Sequence, residues 1–181
     1  MPLSRRADWW RLYWEGQGRI HASSDSELRG PIMASLLRAR IVLLCEDDPD
    51  VAAVFADILE DADYHVVRAP DGEAALRMAS KLRPSAIVLD LDLPGPDGVA
   101  VLTRLKADLR TAPIPVVVAS ANLGWLTFLD RGAAAVLLEK PCSVEALEDA
   151  VRTALDSTRQ AQHGGAPDQP LGPPHDELSS G

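Results

Sequence analysis

Several apolar runs of this 181-residue chain end in side chains suited to metal or phosphate chemistry. In chain order these side chains are Glu46 and Asp47, Asp90, Ser120 and Lys140. Clustered carboxylates repel one another, and a hard divalent cation that prefers oxygen ligands, such as Mg²⁺, relieves that repulsion. A carboxylate beside such a cation can attack phosphorus, while a lysine and a hydroxyl stabilise the oxygens of the transferring group. The residue types therefore predict phosphoryl transfer, provided that one fold brings them together.

The elements that must position these residues alternate between strand and helix. Buried strands are indicated by short apolar runs that end at turn residues, and helices by apolar residues at a spacing of three and four. Asp48 followed by Pro49 is a typical helix start, and the apolar residues after it predict a helix face. The predicted strands are 40–45, 64–68, 86–89, 116–119 and 135–138, and the predicted helices are 49–62, 73–82, 98–109, 122–131 and 144–156.

This alternation predicts a single α/β domain over residues 40–156. Strands separated by helices pair in parallel through right-handed crossovers, and buried parallel strands are apolar throughout, as these are. The expected architecture is a three-layer α/β/α sandwich around a five-stranded parallel sheet. Since parallel strands end at one edge of the sheet, and ligands bind at that edge, the polar strand ends should meet in one crevice.

In this order and at these positions, the motifs resemble the receiver domain of bacterial two-component response regulators. The matching residues are Glu46-Asp47, Asp90 with the Leu93–Gly98 loop, Ser120-Ala121 and Lys140-Pro141. The resemblance extends from residue 40 to about residue 156 and implies a flavodoxin-like fold. It also implies a stand-alone module that is phosphorylated on Asp90 by a histidine kinase or phosphotransfer protein, with output by protein–protein contact.

The same resemblance implies a role for each strand-end residue. Mg²⁺ would be held by Glu46, Asp47, Asp90 and the backbone carbonyl of Asp92. Lys140 would pair with Asp90 and then with the phosphoryl oxygens, and its bond to Pro141 would be a cis peptide. Ser120 would donate a hydrogen bond to the phosphoryl group. Apart from its own phosphorylation and dephosphorylation, such a module catalyses no reaction.

The chain departs from the family pattern on the side that would transmit the signal. Leu137 stands three residues before Lys140, where the family usually has a tyrosine or phenylalanine that couples to the Ser120 position. The helix predicted between Ser120 and Lys140 is also short and weak. The usual partner surface is therefore in question, and homodimerisation is left open.

Two other functions compete with this interpretation. Asp90-Leu91-Asp92 after an apolar strand also resembles the nucleophile motif of haloacid-dehalogenase-like phosphatases, but that family would leave Glu46 and Asp47 unexplained. Alternatively the chain is a pseudo-receiver that binds partners without being phosphorylated. The complete set of strand-end residues argues against that hypothesis.

Composition excludes several other classes. With 27 acidic against 18 basic residues the net charge is −9, which disfavours nucleic acid and anionic membranes as partners. The chain has only two cysteines, so a disulfide framework is not expected, and no apolar run is long enough to span a membrane. Together these observations predict a cytoplasmic protein. Residues 1–39 are expected to be a disordered extension, with an aromatic docking peptide around Trp9–Trp14 and translation from Met33 as alternatives. Residues 157–181, rich in Gln, Gly, Pro and Ser, are expected to be a disordered tail.

Overall fold

A computed structural model describes residues 40–126 and 128–163 of the chain. The predicted extension and most of the predicted tail lie outside these residues, and so do the side chains of Trp125 and Phe128. The elements are β1 (Ile41–Cys45), α1 (Pro49–Asp61), β2 (His65–Ala69), α2 (Gly72–Leu82), β3 (Ala86–Leu89), α3 (Gly98–Ala107), β4 (Val116–Ser120), a 3-10 turn (Leu123–Trp125), α4 (Phe128–Ala133), β5 (Val136–Glu139) and α5 (Val144–His163).

The strands form one five-stranded sheet in the order β2-β1-β3-β4-β5, and every neighbouring pair is parallel. The predicted parallel α/β architecture is therefore confirmed. In the central strand β3 all the residues are buried, as expected of a parallel strand covered on both faces. Within the register, Cys45 pairs with Leu89, so Glu46 and Asp90 leave the sheet side by side.

Two apolar clusters, one on each face of the sheet, give the molecule its three layers. Buried residues of α1 and α5 pack with Val42, Leu44 and Val88 on one face. Buried residues of α2 and α3 pack with Leu43 and Ile87 on the other. No helix in the described part of the chain has the length and apolar character needed to cross a membrane.

Helix α1 buries a face that is shifted from the one that the sequence pattern predicts. Of the predicted Val51, Val54, Phe55, Ile58 and Leu59, two are buried (Phe55 and Leu59), two are partly buried against the same cluster (Val51 and Ile58), and Val54 is exposed. Ala52 and Ala56 are buried in addition. Small alanines allow the helix to lie close to the sheet, and the helix is therefore rotated towards them. As a result Val54 is 56% exposed, at the rim of the strand-end edge.

The ends of α3 and α5 also differ from the prediction. α3 stops at Ala107, two residues before Leu109, and the chain turns back on it: the Thr111 hydroxyl donates to Leu105 O in the last turn of the helix, and the Lys106 ammonium donates to Ala112 O in the turn that follows. α5 continues to His163, so the disorder predicted from residue 157 is wrong for 157–163. An ion pair between Arg159 and Asp156 supports this last part of the helix.

The segment after β4 was predicted as one helix over 122–131. It is instead a 3-10 turn followed by the short helix α4. The Asn122 side chain accepts a hydrogen bond from the Gly124 N–H, which caps the start of the turn, and the extended backbone of Leu126 ends the turn before α4. Gly132, predicted to end the helix, lies within α4.

Candidate functional site

The carboxylates of Glu46, Asp47 and Asp90 meet at the carboxyl edge of the sheet. Each has an oxygen within 4.8 Å of the others, although Glu46 and Asp47 belong to a different strand end from Asp90. Backbone bonds fix this juxtaposition: the Asp90 N–H donates to Cys45 O and the Glu46 N–H donates to Ala69 O. Glu46 and Asp90 are buried, while Asp47 is exposed to the crevice.

Lys140 lies between two of these carboxylates. Its Nζ is 2.5 Å from Glu46 Oε2 and 2.6 Å from Asp90 Oδ2. The lysine side chain is 16% exposed, and those of Glu46 and Asp90 are 4% and 8% exposed. The ring of Phe55 packs beneath the ammonium, with its centroid 5.5 Å from Nζ. Since Glu46, Asp47 and Asp90 offer three negative charges to one lysine, two negative charges remain unpaired within this group.

Burial and ion pairing act in opposite directions on these groups. Burial raises the pKa of the Glu46 carboxyl, and its hydrogen bond with Lys140 offsets only part of that rise. Burial lowers the pKa of Lys140, but hydrogen bonds to Asp90 and Glu46 outweigh it, and the net shift is upward. Lys140 therefore stays cationic at neutral pH, where it neutralises part of the carboxylate charge.

Ser120 is completely buried at the end of β4. Its Oγ accepts a hydrogen bond from the Asn122 N–H at 3.1 Å, and its carbonyl accepts one from the Lys140 N–H at 3.0 Å. Among the described residues we find no hydrogen bond between the Ser120 hydroxyl and Asp90. The serine and the lysine are thus held together by their backbones, with the hydroxyl proton free to be donated.

The loop after β3, residues 90–97, folds back so that the Gly98 N–H donates to Leu91 O at 2.9 Å. The Asp92 N–H donates to Asp90 Oδ1 at 3.1 Å, which holds the carboxylate from the side opposite Lys140. A methyl group at Gly98 would lie 2.2 Å from Asp90 O, so only glycine fits here. The Lys140–Pro141 peptide bond is cis, as the resemblance implies.

The family model for the response regulator receiver domain matches residues 42–152. The chain belongs to this family. RpaA of Synechocystis sp., a DNA-binding dual master transcriptional regulator, is 39% identical over 120 residues, which cover 65% of this chain and 49% of RpaA. The polar-differentiation response regulator DivK of Brucella anthropi is 31% identical over 116 residues, which cover 63% of this chain and 94% of DivK. The chain thus spans about half the length of RpaA and most of that of DivK.

Solved structures agree with this assignment. A receiver domain of a sensor histidine kinase of Pseudomonas aeruginosa PAO1 has a TM-score of 0.60 and 26% identity, and the match covers 65% of this chain and 98% of that one. That receiver domain has a magnesium ion coordinated in its active site cleft. The family supports signalling by phosphorylation in two-component systems and does not favour the phosphatase or the pseudo-receiver.

Sequence reasoning missed two features of this receiver domain's site. The contact of Lys140 with Glu46 was not predicted, because pairing between residues so far apart in the chain leaves no local pattern. The place of Phe55 beneath the lysine was also missed, since its helical spacing predicts only a core residue. Leu137 is half-buried and packs against the cluster on the α2 and α3 face, where it pairs in register with Val118.

Proposed function

We propose that this receiver domain is a phosphorelay module in which Asp90 accepts a phosphoryl group from a histidine kinase or a phosphotransfer protein. One observation carries the proposal. The nearly buried carboxylate of Asp90 lies 2.6 Å from the Lys140 ammonium and within 4.8 Å of the carboxylates of Glu46 and Asp47. A nucleophile, a cation and the ligands for a metal thus lie within one crevice.

Mg²⁺ fits the residues present. Glu46, Asp47 and Asp90 would hold it together with the carbonyl of Asp92, because these are oxygen donors and their charge exceeds that of Lys140 by two. When bound, Mg²⁺ withdraws negative charge from the phosphoryl oxygens. Held by these residues, the ion would also reduce the repulsion between the Asp90 carboxylate and an incoming phosphoryl group.

The transfer step follows from the geometry of Asp90. One of its oxygens forms a bond to phosphorus while the bond from phosphorus to the donor's histidine nitrogen breaks. The electron pair of the broken bond stays on the imidazole, which then takes up a proton. Lys140 moves its ion pair from the carboxylate to a phosphoryl oxygen, and the Ser120 hydroxyl donates to a second one.

An apolar groove beside Lys140 is suited to a protein donor. Val51, Val54, Phe55, Ala121, Pro141 and Cys142 line it together with Lys140, and its volume is about 380 Å³. Because Lys140 belongs both to the groove and to the Asp90 site, a partner seated there would place its phosphohistidine beside Asp90. We therefore assign the groove to the histidine kinase or phosphotransfer protein.

The remaining assignments rest on family membership. The chain has no proposed catalytic activity beyond its own phosphorylation and dephosphorylation, and its output is contact with a downstream protein. A cytoplasmic location is proposed from its family and from the free thiols of Cys45 and Cys142. The receiver domain is proposed to span residues 40–156, which include the family match over residues 42–152, and α5 continues beyond it to His163.

The test is phosphorylation by a small donor. The full chain is incubated with acetyl phosphate and Mg²⁺, and intact mass spectrometry should show the addition of one acid-stable, base-labile phosphoryl group. Asp90→Asn should abolish it, and Asp97→Asn, in the same loop but serving as the cap of α3, should keep it. No labelling of the wild-type chain, or equal labelling of Asp90→Asn, would refute the proposal. Turnover of p-nitrophenyl phosphate would favour the phosphatase instead.

A further inference from the structure

We propose that Gly72 is a positioning residue for the Mg²⁺ site, although it lies on α2 and is not one of the metal ligands. The inference rests on the proposed function, because it concerns the same site. Because Gly72 has no side chain, the acceptor loop, residues 90–97, can lie close to the start of α2. This position of the loop in turn sets the position of the Asp92 carbonyl.

The observation is a close approach of two backbones. A methyl group at Gly72 would lie 2.5 Å from the carbonyl oxygen of Pro96 and 2.8 Å from Val101 Cγ2. Contacts below 3.0 Å are not tolerated by real side chains, so the Pro96 carbonyl would have to move by about 0.5 Å, the difference between 3.0 and 2.5. Gly72 is buried, and its φ lies in a range open to any residue. Lack of space therefore explains the need for glycine here.

Helix α2 cannot easily move away instead. Its first turn is capped by Asp71, whose Oδ1 accepts from the Ala74 N–H at 2.6 Å. Ala74, Ala75 and Ala79 are buried against the sheet, and Glu73 pairs with Arg104 of α3. The helix start is therefore fixed more firmly than the loop that it faces.

The acceptor loop transmits a displacement because it is closed at its base and stiff at its tip. The bond from the Gly98 N–H to Leu91 O ties its two ends together. Pro94 and Pro96 have ring-fixed φ angles, which restricts the backbone on both sides of Gly95. A push on the Pro96 carbonyl therefore reaches Asp92, near the start of the loop.

Mg²⁺ is sensitive to such a shift. The ion requires near-octahedral oxygen ligands at about 2.0–2.1 Å. Displacing one ligand by a few tenths of an ångström therefore weakens Mg²⁺ binding. Changes in groups that orient metal ligands cost about tenfold in affinity or more. We expect Gly72→Ala to weaken Mg²⁺ binding by about tenfold, with all the ligand side chains intact.

Isothermal titration of the full chain with Mg²⁺ tests this inference. Gly132→Ala is the matched control, because a methyl group there meets nothing within 4 Å and should leave the Mg²⁺ Kd unchanged. Val101→Ala is a second control: it opens a cavity beside Gly72, so it should lower the Tm without weakening Mg²⁺ binding. A purely structural role for Gly72 would lower the Tm in the same way and leave the Kd alone. An unchanged Kd for Gly72→Ala overturns the inference.

A second variant covers the case in which Gly72→Ala does not fold. Pro96→Gly adds no atom but removes the stiffness of the loop tip, so it should also weaken Mg²⁺ binding, and an unchanged Kd would overturn the inference by itself. Failure of the proposed function has a separate signature. The wild-type chain would then neither bind Mg²⁺ through Asp90 nor become phosphorylated, whatever residue 72 is.

Discussion

Removal of the Lys140 ammonium should destabilise the metal-free protein far more than removal of an exposed cation. Lys140 contacts two carboxylates at 2.5 and 2.6 Å, and the side chains of those carboxylates, Glu46 and Asp90, are 4% and 8% exposed. In Lys140→Met the carboxylates keep their burial and their mutual repulsion but lose their counterion. The methionine has a similar length, so loss of packing contributes little to the change.

Two estimates bound the effect. Breaking a buried ion pair by deleting one partner typically costs about 3–5 kcal/mol. The protein can limit this cost by protonating one carboxyl, which for Glu46, with an ordinary pKa of 4.5, takes about 3.4 kcal/mol at pH 7. The folded protein adopts whichever state has the lower free energy, either both carboxylates ionised without a counterion or one of them protonated. We therefore expect the free energy of unfolding to fall by about 3 kcal/mol.

Urea unfolding followed by circular dichroism, at pH 7 with EDTA, measures this difference. Arg104→Met is the matched control, because it deletes the cation of an ion pair with Glu73 whose side chains are 54% and 50% exposed, and it should cost less than about 1 kcal/mol. Mg²⁺ should restore Lys140→Met more than it stabilises the wild type, since it replaces the missing charge. If Lys140→Met loses no more stability than Arg104→Met, the carboxylates do not depend on the lysine and the reasoning is refuted.

Three further predictions concern other parts of the molecule. Val54→Asp should slow phosphoryl transfer by about tenfold when the donor is a histidine kinase that phosphorylates the wild type, but it should leave labelling by acetyl phosphate unchanged. Leu109→Asp, at an exposed position outside the groove, is the control and should leave kinase transfer unchanged. If Val54→Asp and the wild type accept the phosphoryl group at equal rates, the groove is not the docking site. Burial lowers the pKa of Lys106 in the folded protein, so the unfolded chain holds that proton more tightly. The free energy of unfolding of the wild type, measured relative to that of Lys106→Met, should therefore rise as the pH increases from neutral towards 10.5. A difference in unfolding free energy that does not change with pH would contradict this. Ellman's reagent should modify the partly exposed Cys142 in the folded protein, but the completely buried Cys45 only after unfolding. Fast reaction of both thiols in the folded protein would contradict this.

The strand ends could be predicted because their signals are local. An apolar run that stops at Asp90 or Ser120 identifies both the strand and the residue at its end. Parallel pairing then follows from the alternation of elements, and with it the shared edge. The grouping of Glu46, Asp47 and Asp90 therefore required no knowledge of side-chain packing.

Helix faces and pairings were harder, because they depend on what lies opposite. The pattern on α1 could not show that Ala52 and Ala56 would be buried in preference to Val54. Where a helix lies close to a sheet, only small side chains fit between the two. The end of α3 depends on two side-chain contacts: Lys106 donates to the carbonyl of Ile114 beyond the helix, and Thr111 donates back to the carbonyl of Leu105 in its last turn. Neither contact has a periodic signature.

The same distinction separates the residues that perform the proposed chemistry from those that position them. Asp90 and Lys140 are visible in the sequence because their side chains are unusual at a strand end. Gly72 lacks a side chain, and its contact with Pro96 depends on how close two backbones come. A search for charged or nucleophilic residues would therefore never find it. The proposal that the Mg²⁺ site depends on α2 as well as on the strand ends therefore rests on the space around Gly72.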